Sequence, residues 1–168
     1  AHDNYNLHDL LMEFHPHDDL ETRTKRTELA TAMNILMQGL AFIELGQEFS
    51  RTKLVATGVD GLVTQADKER AMNSYNAPDQ VNQVDWNLLS KHQDSVNFIR
   101  QIIQLKTSRK EFSYPSYEEI YQHVYVRQAQ TNSGVIIFEV KDSKHYLVIF
   151  NASGTSYRLE DPNKLKLV

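Results

Sequence analysis

Gln38-Gly39-Leu40-Ala41-Phe42-Ile43-Glu44-Leu45-Gly46-Gln47-Glu48-Phe49 is the stretch on which the fold turns. Gly39 is placed to stop the helical pattern before it, because the position just past a helix end often takes a left-handed backbone that glycine tolerates. Residues 40–45 are mostly apolar and closed by Gly46, which suits a short strand buried on both faces. Upstream, from Glu21 to Gln38, Leu29, Met33 and Leu36 recur at i, i+4 and i+7. Ala30, Ala32 and Met37 widen that stripe, and Arg23, Lys25, Arg26 and Glu28 face out. A helix followed by a buried strand is the rhythm of an α/β fold.

Outward from this stretch the pattern changes twice. Residues 1–20, with four histidines and the run Pro16-His17-Asp18-Asp19, read as a polar loop ahead of a helix start. Residues 46–86 show no sustained period and are rich in Gly, Asn, Asp, Gln and Thr. They form a long loop region with a short helix over residues 67–72, and loops of that length inside compact domains are usually functional. A second long helix runs from Asp94 to Lys106, with Phe98, Ile102 and Leu105 on one face and Ile99 and Ile103 beside them. Beyond Tyr114-Pro115 the period falls to two, in runs at 124–129, 135–140, 146–151 and 156–159. Asn132-Ser133-Gly134, Asp142-Ser143 and Ser153-Gly154 supply turn chemistry between them, so this part is an antiparallel sheet. The domain boundary is expected between Ser108 and Tyr117.

The chain has 168 residues, of which 40% are hydrophobic and 24% charged, a globular composition for one ordinary domain or two small ones. With 18 Lys+Arg against 22 Asp+Glu the net charge is −4, so no bulk electrostatic case exists for nucleic acid or an anionic membrane. The longest apolar runs are strand-sized, far short of the roughly 20 residues of a membrane helix. The absence of cysteine removes disulfides and thiolate zinc sites without fixing a compartment. Localisation is therefore open. The sequence begins at Ala1 without a leader pattern, and residues 164–168 alternate like a strand just beginning, so both ends are expected to be artificial.

Three groups of residues invite chemistry. His2, His8, His15 and His17 with Asp3, Asp9, Asp18 and Asp19 make a histidine and carboxylate cluster, but the spacing lacks a helical i, i+4 pair and reads as a solvated polar loop, not a metal site. No cofactor is implied. Glu44, Glu48, Asp60, Asp79 and Asp85 lie in or after the expected strand, where parallel α/β architectures place their ligands. For Glu48 the competing role is to anchor the loop by hydrogen bonds. Asn73-Ser74-Tyr75-Asn76-Ala77-Pro78-Asp79-Gln80-Val81-Asn82-Gln83-Val84-Asp85-Trp86 then concentrates amides, aromatics and carboxylates. Amides and carboxylates take paired sugar hydroxyls while an aromatic ring stacks on the apolar face of a pyranose. Trp86 itself reads better as a core anchor.

His2-Asp3-Asn4, residues 38–49, Asn73-Ser74-Tyr75-Asn76 and Asn82-Gln83-Val84-Asp85-Trp86, in this order and spacing, resemble the later part of type I pullulanases, debranching enzymes of the α-amylase superfamily. The resemblance covers residues 1 to about 108 well, and the sheet beyond follows the family in position and pattern. Ala41 departs from it, where relatives often carry proline. The resemblance implies the last two β/α units of an incomplete (β/α)8 barrel over residues 1–112. Residues 113–168 would then be a truncated antiparallel β domain of sandwich type. His2 and Asp3 would end the seventh barrel strand, residues 21–38 form the seventh helix, 40–45 the eighth strand and 94–106 the eighth helix. It further implies that Asp3 stabilises an oxocarbenium-like transition state with His2 assisting. The expected substrate contacts are Asn4, Glu48, Asn73, Tyr75, Asn76 and Asp79.

The implied activity is retaining hydrolysis of α-1,6 branch linkages in pullulan, starch or glycogen-type glucans. The family's nucleophile and general acid have no match here and would come from upstream barrel polypeptide, so the chain alone is expected to be inactive. The rival readings are a non-catalytic glucan-binding or structural β module and another activity of the same superfamily. A broken barrel also predicts that residues 40–45 and the stripe of Leu29, Met33 and Leu36 are accessible or covered by other polypeptide. The sheet from Val124 should be the better-buried part.

Overall fold

The structure, a computed structural model, describes residues 4–128 and 133–159. Two compact units, Ala1–Ser113 and Tyr114–Val168, divide the chain. No helix among the described residues is long and apolar enough to cross a membrane.

The first unit is helical. α1 (Leu7–Phe14) starts where the Asn6 side chain accepts the Asp9 N–H, and α2 (Leu20–Leu36) where the Asp19 side chain accepts the Thr22 N–H. α3 (Gln65–Met72) opens on a reciprocal capping box between Thr64 and Asp67. Two short helices follow, α4 (Asp79–Asn82) and α5 (Asn87–Lys91), and then α6 (Gln93–Ser108). α2 packs on α6, and a short 3₁₀ turn, Gln47–Phe49, seats against both. The core consists of Ala32, Ile35 and Leu36 of α2, Ile99 of α6, Phe49, Ala71, Val81 and Phe112. Burying a side chain the size of Phe49 contributes about 1.5–3 kcal/mol.

The expected long helices are present, but α2 turns a different face inward. Thr27, Thr31, Ala32, Ile35 and Leu36 are buried, whereas Leu29 and Met33 are only half-buried. The hydroxyl of Thr27 bonds back to the Arg23 carbonyl at 3.0 Å and Thr31 accepts the Gln47 amide at 2.8 Å, so these polar side chains enter the interior without unmet hydrogen bonds. The region read as a loop over residues 1–20 contains α1, whose cap signal Asn6 sits three residues before Asp9.

The expected strand over residues 40–45 is not formed, and Leu40 is 92% and Phe42 83% exposed. A strand is held by backbone bonds to a neighbour. Here the bonds are local: the Asn34 amide donates to the Phe42 carbonyl at 2.6 Å, the Glu44 N–H reaches Gln47 Oε1 at 3.5 Å, the Gln47 N–H donates to the Glu44 carbonyl at 3.0 Å, and Arg51 donates to the Leu45 carbonyl at 3.2 Å. The accessibility expected of this run is therefore observed. The helical unit nevertheless has its own core, so the sheet is not the only well-buried part.

The second unit begins with α7 (Tyr117–His123), capped by Ser116, whose Oγ accepts the Glu119 N–H at 3.2 Å. β1 (Val124–Gln128), β2 (Val135–Lys141) and β3 (His145–Asn151) form one antiparallel sheet in the order β1-β2-β3. Val126 faces Phe138 across the first pair and Phe138 faces Val148 across the second. The central strand buries Val135, Ile137, Phe138, Glu139 and Val140, hence both of its faces. Residues 156–159 carry no strand, and among the described residues no second sheet completes a sandwich. Part of the 124–129 run, and all of 160–168, lies outside the described residues.

Candidate functional site

A buried polar frame underlies the loops of the first unit. Asp9, fully buried on α1, accepts the Thr52 hydroxyl at 2.5 Å and the Lys53 N–H at 2.7 Å. Burial pushes its carboxyl pKa up despite these bonds. The Asn6 amide donates to the Arg51 carbonyl at 2.9 Å, so α1 grips residues 51–53 from its first turn. Lys53 is 5% exposed, with Nζ 3.2 Å from Glu44 Oε1 and 3.2 Å from Ser74 Oγ. Its neighbour Arg51 donates to the Leu45 carbonyl at 3.2 Å and to the Asn82 carbonyl. The two cations thus tie residues 44–45 to residues 74–82.

Gly46 makes the turn between these parts possible. Its φ is 93°, and a Cβ there would stand 2.7 Å from Arg51 Cβ. Glu48 Oε2 accepts the Gly46 N–H at 3.1 Å, so this carboxylate takes the anchoring role weighed for it from the sequence.

On that frame residues 73–86 are presented outward. Ser74 is buried against Lys53, Val81 is 1% exposed, and the Asn82 amide donates to the Ser74 carbonyl at 2.7 Å. Between and around these anchors Asn73, Tyr75, Asn76 and Asp79 are all exposed, Tyr75 at 75%. Asn73, Tyr75 and Asn76 lie between α3 and α4, and Asp79 is the first residue of α4. Asn4 is exposed on its own segment, with Oδ1 accepting the Tyr5 N–H at 2.8 Å. His2 and Asp3, the expected catalytic pair, lie outside the described residues.

Three side chains correct the sequence reading. Trp86 is 60% exposed and is no core anchor; it lies against Phe49, ring centroids 6.0 Å apart, and it is Phe49 that is buried. His8 and Asp9, placed in a solvated polar loop, are both buried. Burial lowers the His8 pKa to about 4, with the charges of Arg23 and His92 adding to the effect. The residues that reasoning passed over are Arg51, Thr52, Lys53 and Ser74. The available signal was Arg51-Thr52-Lys53, five residues past Gly46 and directly before the apolar Leu54-Val55-Ala56, two cations that need partners to be buried.

The frame's charges are engaged with one another, and the exposed loop offers amides, a phenol ring and a carboxylate. Such a surface suits a neutral, hydroxyl-rich ligand.

No protein-family model matches the chain. It is 30% identical, over 98% of its length, to the pullulanase of Bacillus subtilis (strain 168), of which it spans only 21%. Among solved structures it is similar to a mutant pullulanase from Paenibacillus barengoltzii complexed with maltotetraose, at 30% identity and a TM-score of 0.79. That match covers 97% of this chain and 24% of the other. A type I pullulanase from Bacillus subtilis str. 168 complexed with maltose gives 28% identity and a TM-score of 0.77, covering 95% and 21%. The resemblance read from the sequence is borne out.

Proposed function

We propose that this chain, a segment of pullulanase type, forms part of a retaining glycoside hydrolase that cleaves α-1,6 branch linkages in pullulan, starch or glycogen-type glucans. The observation that carries the proposal is the 73–79 loop: Asn73, Tyr75, Asn76 and Asp79 stand exposed on anchors buried beneath them. An amide or carboxylate there takes adjacent sugar hydroxyls, and the Tyr75 ring takes the apolar face of a glucose unit. Glu48 supports this surface through Gly46, and Asn4 adds a hydrogen-bonding group from the segment beside His2 and Asp3.

Asp3 acts as the transition-state stabiliser. Its hydrogen bonds to sugar hydroxyls strengthen as positive charge grows at the anomeric carbon, so it lowers the barrier more than it strengthens binding. His2 donates a hydrogen bond to the same glucose unit. A retaining mechanism needs a nucleophilic carboxylate and a general acid roughly 5 Å apart. No pair in these residues is assigned those roles, so further polypeptide supplies them, together with the barrel strands against which residues 40–45, which form no strand here, would pair. Residues 113–168 form the accessory β domain.

The test is pullulan hydrolysis. The chain alone should release no reducing sugar. In a polypeptide that also carries the two missing carboxylates, Asp3→Asn should reduce kcat by about 10²–10³ while changing KM little. Near-normal turnover by that variant would remove Asp3 from its role.

A further inference from the structure

The second unit carries an exposed aromatic surface. Tyr117 and Tyr121 are 76% and 78% exposed and lie one turn apart on the same face of α7, about 6 Å along the axis. Tyr125 follows on β1 and is 44% exposed. Aromatic rings of this size ordinarily gain by burial, and a run of them left in solvent marks an interaction surface. Tyr121 and Tyr125 line an open groove of about 820 Å³, together with Gln122, Val126, Arg127 and Lys141.

We propose that this groove is a second α-glucan-binding surface, separate from the 73–79 loop and resting on the glucan-directed reading of the chain. Three observations favour a sugar chain. The Tyr125 ring is held in place: its hydroxyl donates to the Gln122 carbonyl at 2.9 Å and Lys141 Nζ stands 5.5 Å from the ring centroid. A ring fixed before binding loses little entropy when a pyranose stacks on the face opposite Lys141. The cations around the groove, Arg127 and Lys141, both converge on Glu139, a carboxylate 3% exposed. Arg127 Nη2 lies 3.1 Å from Oε2, and Lys141 Nζ 3.1 Å and His145 Nε2 2.7 Å from Oε1. An anionic ligand that recruited Arg127 or Lys141 would take a partner from that buried carboxylate, whereas a neutral one leaves the cluster intact. Finally, the tyrosines carry hydroxyls at their rims and flank the Gln122 side chain, which matches a ligand that is apolar on its ring faces and polar at its edges.

Titrating the full chain with maltoheptaose, with tyrosine ring signals followed by NMR, tests the proposal. The Tyr121 and Tyr125 rings should shift together with one saturation curve. Tyr121→Ala should weaken that curve roughly tenfold while Tyr121→Phe retains it. Tyr75→Ala should leave it unchanged, which separates this groove from the loop of the first unit. If maltoheptaose shifts only Tyr75, or Tyr121→Ala leaves the curve unaltered, the proposal fails while the loop reading stands. It also fails if Tyr121→Ala instead abolishes self-association in sedimentation, since the surface would then be a protein contact.

Discussion

Lowering the pH should destabilise the first unit through His8, and the effect can be worked through from its surroundings. The ring is 7% exposed on α1, and among the described residues its Nδ1 has no hydrogen-bond partner. Burial, aided by Arg23 and His92, lowers its pKa from 6.5 to about 4. The unfolded chain therefore binds the proton first as pH falls, and stability rises with pH between the two values. His8's contribution is complete above the unfolded value of 6.5 and is lost as pH falls towards 4. Over that window the loss is about 3 kcal/mol, and between pH 7.5 and 5.0 it is about 2 kcal/mol. Asp9, whose pKa burial raises, acts in the opposite sense, so the comparison must cancel it. Urea unfolding followed by Trp86, the single tryptophan and a member of the same unit, does so when the chain is compared with His8→Gln at both pH values. The wild-type midpoint should fall by roughly 1 M more than the variant's. Equal pH dependence in the two proteins would refute the reasoning.

Asp67 should show acid sensitivity at lower pH: bonds from the Thr57 hydroxyl and the Thr64 N–H hold its carboxyl well below the usual range. Its stabilisation is present above the ordinary carboxylate pKa of about 4 and lost below it, so Asp67→Asn should lower the urea midpoint at pH 7 and flatten the acid limb. Gly46→Ala forces both a positive φ and a 2.7 Å contact on Arg51, and should destabilise by about 1–3 kcal/mol in the same unfolding assay. Replacing the exposed Leu40 and Phe42 together by lysine should reduce self-association in sedimentation velocity, without lowering the unfolding midpoint, because neither belongs to the core.

Much of the architecture was readable because its signals are local. α6 follows from periodicity, although it starts at Gln93 with no side-chain cap and Asp94 lies in its first turn, the short helix read over residues 67–72 is found within α3, and the three strands follow from alternation broken by turn chemistry. α1 and α7 were equally legible in Asn6 and in Ser116-Tyr117-Glu118-Glu119, but tyrosine-rich and histidine-rich composition pointed towards sheet and loop. The exposed candidates of the 73–79 loop were legible too, since amides, an aromatic and a carboxylate in a turn-rich segment describe a hydrogen-bonding surface without reference to distant residues.

What only the tertiary structure decided depends on partners remote in sequence. Which face α2 buries was settled by α6 and the Gln47–Phe49 turn, which accept Thr27 and Thr31 in place of Leu29 and Met33. Whether Asp9 meets solvent was settled by Thr52 and Lys53, more than forty residues away. Trp86 stays exposed because Phe49 occupies the interior beside it. Residues 40–45 show the same dependence by failing it. Their apolar pattern favours a strand, but a strand's backbone bonds belong to its neighbours, and the bonds here come from the side chains of Asn34, Gln47 and Arg51 and from the local Gln47 N–H to the Glu44 carbonyl. Local propensity sets what a segment is able to form; long-range contacts set whether it forms.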